Sequence, residues 1–121
     1  MILKAVALGV ALGLPPAAAG AQDVAIGIGA ELRGLDKING TAIDMTLATG
    51  ETAALGDLEV TLGECRYPAG DAAGDAFAYL MVRDPRSDQS VFEGWMIASS
   101  PALNAMEHAR YDVWVLRCKT E

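Results

Sequence analysis

Leu58-Glu-Val-Thr-Leu-Gly-Glu-Cys-Arg-Tyr67 is the stretch on which the reading of this chain turns. Leu58, Val60 and Leu62 alternate with Glu59 and Thr61, the period of a strand with one buried face. Gly63 then breaks the parity, so that Cys65 and Tyr67 continue the buried side. A glycine at a parity switch predicts a β-bulge. A helix has no use for this pattern, because residues two apart fall on different sides of a helical cylinder.

The same period runs outward in both directions. Upstream, Thr41 to Ala48 sets Ile43, Met45 and Leu47 on one face, and Asp44 and Thr46 on the other. Glu31 to Ile38 carries Leu32 and Leu35 on opposite parities with Gly34 between them, a second predicted bulge. Asn39-Gly40 joins these strands as a tight hairpin turn, since both residues tolerate positive φ. Thr49-Gly50-Glu51 and Leu55-Gly56-Asp57 are further turns. Downstream, Pro68 to Asp75 is a loop. Ala76 to Arg83 and Val91 to Ala98 are apolar on both parities, which predicts a central strand paired with its successor around the Asp84–Asp88 turn. In the final strand, Tyr111 to Cys118, Val113 and Val115 share one face, with Trp114, Leu116 and Cys118 on the other. Ser100-Pro101 opens the one helical signal, about two turns ending near Glu107, with Ser100 as N-cap and Pro101 at the first helical position. The expectation is an all-β, mainly antiparallel fold: a small barrel or sandwich of about six strands with one short helix.

The first residues read differently. Lys4 supplies a positive end, Ala5 to Leu14 is an unbroken apolar run, Pro15-Pro16 ends it, and Ala19-Gly20-Ala21 has the small-x-small form that signal peptidase accepts. Residues 1–21 are therefore expected to be a secretory signal peptide cleaved after Ala21. The run is about half the roughly 20 residues that a spanning helix requires, so no membrane insertion is expected after cleavage. Residues 22–30 are expected to be a flexible lead-in, and residues 31–121 a single β-rich domain in the periplasm.

Two cysteines, Cys65 and Cys118, are the whole inventory. An even count in an exported chain points to a disulfide closing the fold. A metal site needs more ligands than one histidine and two cysteines offer, and a redox pair would favour Cys-x-x-Cys spacing. The formal charge is −7, and loss of Lys4 with the leader takes it to −8. That balance speaks against nucleic acid and anionic lipid surfaces, both of which rely on clustered Lys and Arg.

Leu35-Asp36-Lys37, Gly94-Trp95-Met96 with Ala98-Ser99-Ser100-Pro101, and Tyr111-Asp112-Val113-Trp114-Val115 ahead of Cys118 together resemble an uncharacterised exported family, domain of unknown function 2155, found mainly in alphaproteobacteria. The resemblance runs from roughly Ala30 to Cys118. It implies a periplasmic address and a paired-cysteine core, and it implies no activity. The family has proline after the histidine matched by His108. Ala109 stands there in this chain, so a rigid turn is not implied.

Several residue sets invite chemical readings. Ser99, Ser100, His108 and Asp112 are the residue types of a hydrolytic triad, but no Gly-x-Ser-x-Gly elbow surrounds either serine, and Ser100 is explained as a cap. Asp71 and Asp75, with Glu64, are the types that hold calcium, without an EF-hand pattern; solvated acids are the plainer reading. No cofactor or metal is expected. Trp95, Met96, Tyr111, Asp112 and Trp114 either fill the core or form an exposed partner-binding surface, because one sheet face of so small a domain can lack a cover. Asp112 is expected to accept hydrogen bonds from the Ser99-Ser100 turn or to mark the rim of that surface. The leading expectation is a non-catalytic envelope module that binds another protein. A small-ligand carrier with a pocket in an incomplete barrel is the alternative, and a hydrolase the remote one.

Overall fold

The computed structural model describes residues 23–121; the expected signal peptide lies outside the described residues. Eight strands and one short 3-10 turn follow in order: β1 Val24–Ile26, β2 Gly29–Asp36, β3 Thr41–Ala48, β4 Thr52–Leu55, β5 Leu58–Pro68, β6 Phe77–Asp84, β7 Gln89–Ile97, the 3-10 turn Pro101–Asn104, and β8 Tyr111–Lys119. Every pairing is antiparallel.

The strands form two sheets. One has the order β1-β5-β6-β7, with β4 also on β5; the other is β3-β2-β8. Because β6 occupies one edge of β5 from Glu59 to Arg66, β4 and β1 share the opposite edge. β4 lies along Leu58–Thr61 and β1 along Arg66–Pro68. The chain passes between sheets three times, from β1 to β2, from β3 to β4 and from β7 to β8, and backbone hydrogen bonds tie the first two corners. The Gly27 amide donates to the Cys65 carbonyl and the Ile28 amide to the Lys119 carbonyl, both at 2.8 Å. At the second corner the Gly50 amide donates to the Leu62 carbonyl at 2.7 Å. The result is a partly closed barrel. Its core, including Leu32, Leu55, Leu58, Val60, Leu62, Leu80, Val82, Val113 and Val115, is sealed between the sheets.

The Cys65–Cys118 disulfide joins β5 of one sheet to β8 of the other, with Cα atoms 5.6 Å apart. It is the bridge expected from the cysteine count. How Cys118 reaches the interior was not legible. β8 loses register with β2 at Leu116: Glu31 faces Arg117, but Leu32 faces Val115. The extra residue turns Cys118 inward, off the face it would have shared with Trp114.

Gly63 is a bulge as expected, the ladder with β6 skipping from Leu62 to Glu64. Gly34 is not. β2 keeps its parity there, with Ala30, Leu32, Gly34 and Asp36 facing in and Leu35 half-buried outside. The glycine is needed because a Cβ at this site would lie 2.6 Å from Leu55 Cδ1. Asn39-Gly40 is part of a four-residue loop, not a two-residue turn, and only Gly40 takes positive φ. Asp36 organises that loop: its carbonyl accepts from Gly40 N at 2.8 Å, and its Oδ1 accepts from Ile38 N at 3.0 Å and Asn39 N at 3.4 Å.

Two further expectations are corrected. Residues 23–30, the described part of the expected lead-in 22–30, are built into the sheets: they supply β1, held by the ladder to β5, and the first two residues of β2. Gly27 and Gly29 hide this strand from period-2 reading. The helix is only the four-residue turn Pro101–Asn104, and the Ser100 side chain makes no cap hydrogen bond. The turn buries none of its own residues, whereas Met106 just beyond it is 4% exposed. Burying Met106 draws the chain into extended backbone at Ala105, which ends the turn.

Candidate functional site

The outward side of the five-stranded sheet is ordered by register into bands across the strands. Ile26 of β1 faces Arg66 of β5, which faces Phe77 of β6, which faces Ile97 of β7. The next band is Glu64, Tyr79 and Trp95. Beyond it come Thr61, Met81 and Glu93, then Glu59 and Arg83. The sheet thus grades from an apolar, aromatic end to a polar end closed by ion pairs, Arg83 Nη1 lying 2.8 Å from Glu59 Oε1.

The apolar end has no cover among the described residues. Ile26 is 63% exposed, Val24 47% and Trp95 36%. Arg66 sits over the Trp95 ring, 4.8 Å from its centroid, and Tyr79 meets the same ring edge-on at 5.3 Å. These contacts fix the indole orientation on the open surface. Glu64 pairs with Arg66 and neutralises it. Tyr79 donates its hydroxyl proton to Glu93 at 2.6 Å; that carboxylate, aided by desolvation, raises the Tyr79 pKa above its usual value. Two shallow grooves meet here. One, of about 260 Å³, is lined by Val24, Arg66, Phe77, Trp95 and Ile97. The other, of about 400 Å³, includes Gly63, Glu64, Tyr79 and Met81, and shares Arg66 and Trp95 with the first.

The five residues expected to form one surface are therefore divided. Met96 and Tyr111 are core, 2% and 4% exposed; the parity of β7 and β8 points them inward. Trp114 is half-buried on the outer face of the other sheet, beside Asp112, Pro101, Ala102 and Ala105 in a groove of about 380 Å³. That groove runs along the seam where β7 and β8 fail to pair, which the 3-10 turn spans. From it Asn104 Nδ2 donates to the Trp95 carbonyl at 2.7 Å and protects the β7 edge. Only Trp95 stands on the uncovered apolar face. Sequence reading missed its neighbours Val24, Ile26, Phe77 and Ile97. The signal present was the two-parity apolarity of β6 and β7, which also fits strands covered on both sides.

The hydrolytic set is not brought together. The Ser99 hydroxyl donates to Asp75 Oδ2 at 2.6 Å, and the Ser99 amide to Asp75 Oδ1 at 3.0 Å. Asp75, not Asp112, thus holds the Ser99-Ser100 turn. Burial pushes the Asp75 carboxyl up, but the bonds from Ser99 and from the Ala76 amide outweigh it and leave its pKa lowered. His108 Nδ1 accepts from the Arg110 and Tyr111 amides at 3.0 and 3.1 Å, a turn-forming role. Asp112 Oδ1 accepts from the Val113 amide at 2.9 Å. The acids considered for calcium are also dispersed: Glu64 is taken by Arg66 and Asp75 by Ser99, and no group of three or more His, Cys, Asp or Glu residues converges among the described residues. The grooves described above open on the surface, and among the described residues apolar side chains pack the space between the sheets.

A family model described as an uncharacterized protein conserved in bacteria (DUF2155) matches residues 30–118. An uncharacterized protein of Rickettsia prowazekii (strain Madrid E) is 26% identical over 87 residues, which cover 69% of this chain and 56% of that protein. The chain thus spans little more than half the length of that relative. No solved structure matches it.

Proposed function

The chain belongs to the DUF2155 family of uncharacterized bacterial proteins, and on that premise we propose that it is a non-catalytic module of the cell envelope that docks another protein on the outer face of its five-stranded sheet. One observation carries the reading. A fixed indole lies uncovered with exposed Val24 and Ile26 and half-buried Phe77 and Ile97 clustered about it, whereas the other exposed large apolar side chains, Ile28, Ile38, Ile43 and Leu103, lie outside this band, on β3, in loops and on the 3-10 turn. Clustered apolar surface of this kind, with an aromatic anchor and a polar rim, is what protein interfaces are made of. The leader sequence and a disulfide between the only two cysteines support an oxidising, periplasmic address.

The test is affinity capture from an envelope extract with the wild-type protein, Trp95→Ala and Trp114→Ala. Loss of a specific partner with Trp95→Ala and its retention with Trp114→Ala is the expected result, because the two indoles lie on different sheets. Equal recovery with Trp95→Ala would refute the assignment of this face.

A further inference from the structure

The chemistry of the partner is legible in the rim of the Trp95 face. Among the described residues the one cation within the apolar end, Arg66, is already neutralised by Glu64. The rim carboxylates are not balanced in the same way. Glu93, exposed on β7 beside Trp95, has a tyrosine hydroxyl as its partner and no cation among the described residues. Asp23, exposed at the opposite side next to Val24, likewise has no side-chain cation there. Glu93 stands on the β7 edge of the apolar band, and Asp23 precedes β1 at the opposite edge, beyond Val24. Behind them stands a chain of formal charge −7, whose field attracts cations and repels a second copy of itself.

Resting on the docking role proposed above, we infer that the occupant of this face is a basic, apolar-anchored segment of another protein, in which Lys or Arg residues reach Glu93 and Asp23 while aliphatic or aromatic side chains cover Trp95, Phe77 and Ile97. An acidic segment would meet uncompensated carboxylates at both edges. A second copy would bring the same acidic rim against itself. A basic segment gains attraction at both edges, and the seated apolar contacts exclude water from them.

Two labelled amphipathic peptides of about fourteen residues, one of leucine and lysine and one of leucine and glutamate with the same spacing, serve as probes. They are titrated against the exported protein by fluorescence anisotropy. The Leu/Lys peptide is expected to bind, about ten-fold more weakly to Trp95→Ser and several-fold more weakly to Glu93→Lys, with affinity falling as salt is raised. Ile26→Ser, at an exposed edge position, supplies a second apolar variant should Trp95→Ser prove poorly folded by circular dichroism. The Leu/Glu peptide is expected not to bind.

Equal binding of both peptides, lost in Trp95→Ser, would overturn the basic partner and leave the docking face standing. Binding of the Leu/Lys peptide that ignores Trp95→Ser, Ile26→Ser and Glu93→Lys would reflect bulk acidity alone and overturn the inference. Binding of neither peptide would also overturn it. So would self-association in the ultracentrifuge that Trp95→Ser abolishes, which would make the occupant a second copy. If affinity capture through Trp95 yields no partner of any charge, it is the underlying docking role that fails.

Discussion

Replacing Cys65 and Cys118 together by alanine should cost this domain about 4 kcal/mol. The bridge closes a loop with a sequence separation of 53. In the chain-entropy treatment, a loop of that length removes about 14 cal/mol/K from the unfolded ensemble, which is about 4 kcal/mol at 25 °C. The stability of a small domain is about 5–15 kcal/mol, so the variant is left close to the margin. The native state supplies little to offset the loss, because the bridge is the covalent tie between two sheets that otherwise meet through packing and a few corner hydrogen bonds. Both sulfurs are shielded, Cys65 completely, so the double alanine variant is a cleaner perturbation than reductant added to folded protein. Urea unfolding followed by circular dichroism is the assay. With a slope of about 1.5 kcal/mol per molar, the midpoint should fall by about 2–3 M, and the slope should rise as the unfolded chain expands. A midpoint within about 0.5 M of wild type would refute the loop-entropy reasoning.

Gly34→Ala should destabilise by about 1–3 kcal/mol, because its methyl would meet Leu55 Cδ1 at 2.6 Å; a thermal melt of the variant checks this. Leu80→Ala, at a fully buried position of central β6, should cost about 2–5 kcal/mol by the same melt. Asn104→Ala should remove about 1 kcal/mol by freeing the Trp95 carbonyl, and should raise aggregation at the bared β7 edge, read by light scattering. The Arg110 guanidinium bonded to Asp36 is the largest of the effects that hold this carboxyl below its usual pKa, with the Ile38 and Asn39 amides adding to it against desolvation. The unfolded state therefore binds the proton more readily. The stabilisation is complete above the ordinary aspartate range near pH 4 and is lost as pH falls through the lower folded value. Asp36→Asn should flatten the acid limb of a plot of Tm against pH relative to wild type.

How far the sequence could be read depended on whether a signal had one physical cause or several. Alternation of Leu58, Val60 and Leu62 has one cause, and so does Gly63 at a parity switch; both led to the right strand and the right bulge. Glycine at Gly34 has two, a bulge or a neighbour that leaves no room for a side chain, and the neighbour is Leu55, distant in sequence. The bulge at Leu116 leaves no mark, because leucine suits a regular strand, so the inward turn of Cys118 emerged only from the ladder with β2. Ser100-Pro101 is sound helix-start chemistry, but the short turn it opens is ended by the burial of Met106. At the site, Trp95 could be singled out by residue type. Met96, the next residue of β7, parts from it by strand alternation alone, whereas the separation of Trp95 from Tyr111 and Trp114 required knowing which strands share a sheet. Ser99, His108 and Asp112 share residue types with a catalytic set, yet each is spent on a hydrogen bond that holds a turn or a strand.

The most direct measurement of whether the Trp95 face is a docking surface is site-specific photo-crosslinking in living cells. A photoreactive phenylalanine is placed at Trp95, at Trp114 on the other sheet, and at Arg83 in the polar bands. Adducts to a specific envelope protein from position 95, and none from 83 or 114, are the outcome this account predicts. Adducts of equal yield from all three positions, or none from 95, would contradict it.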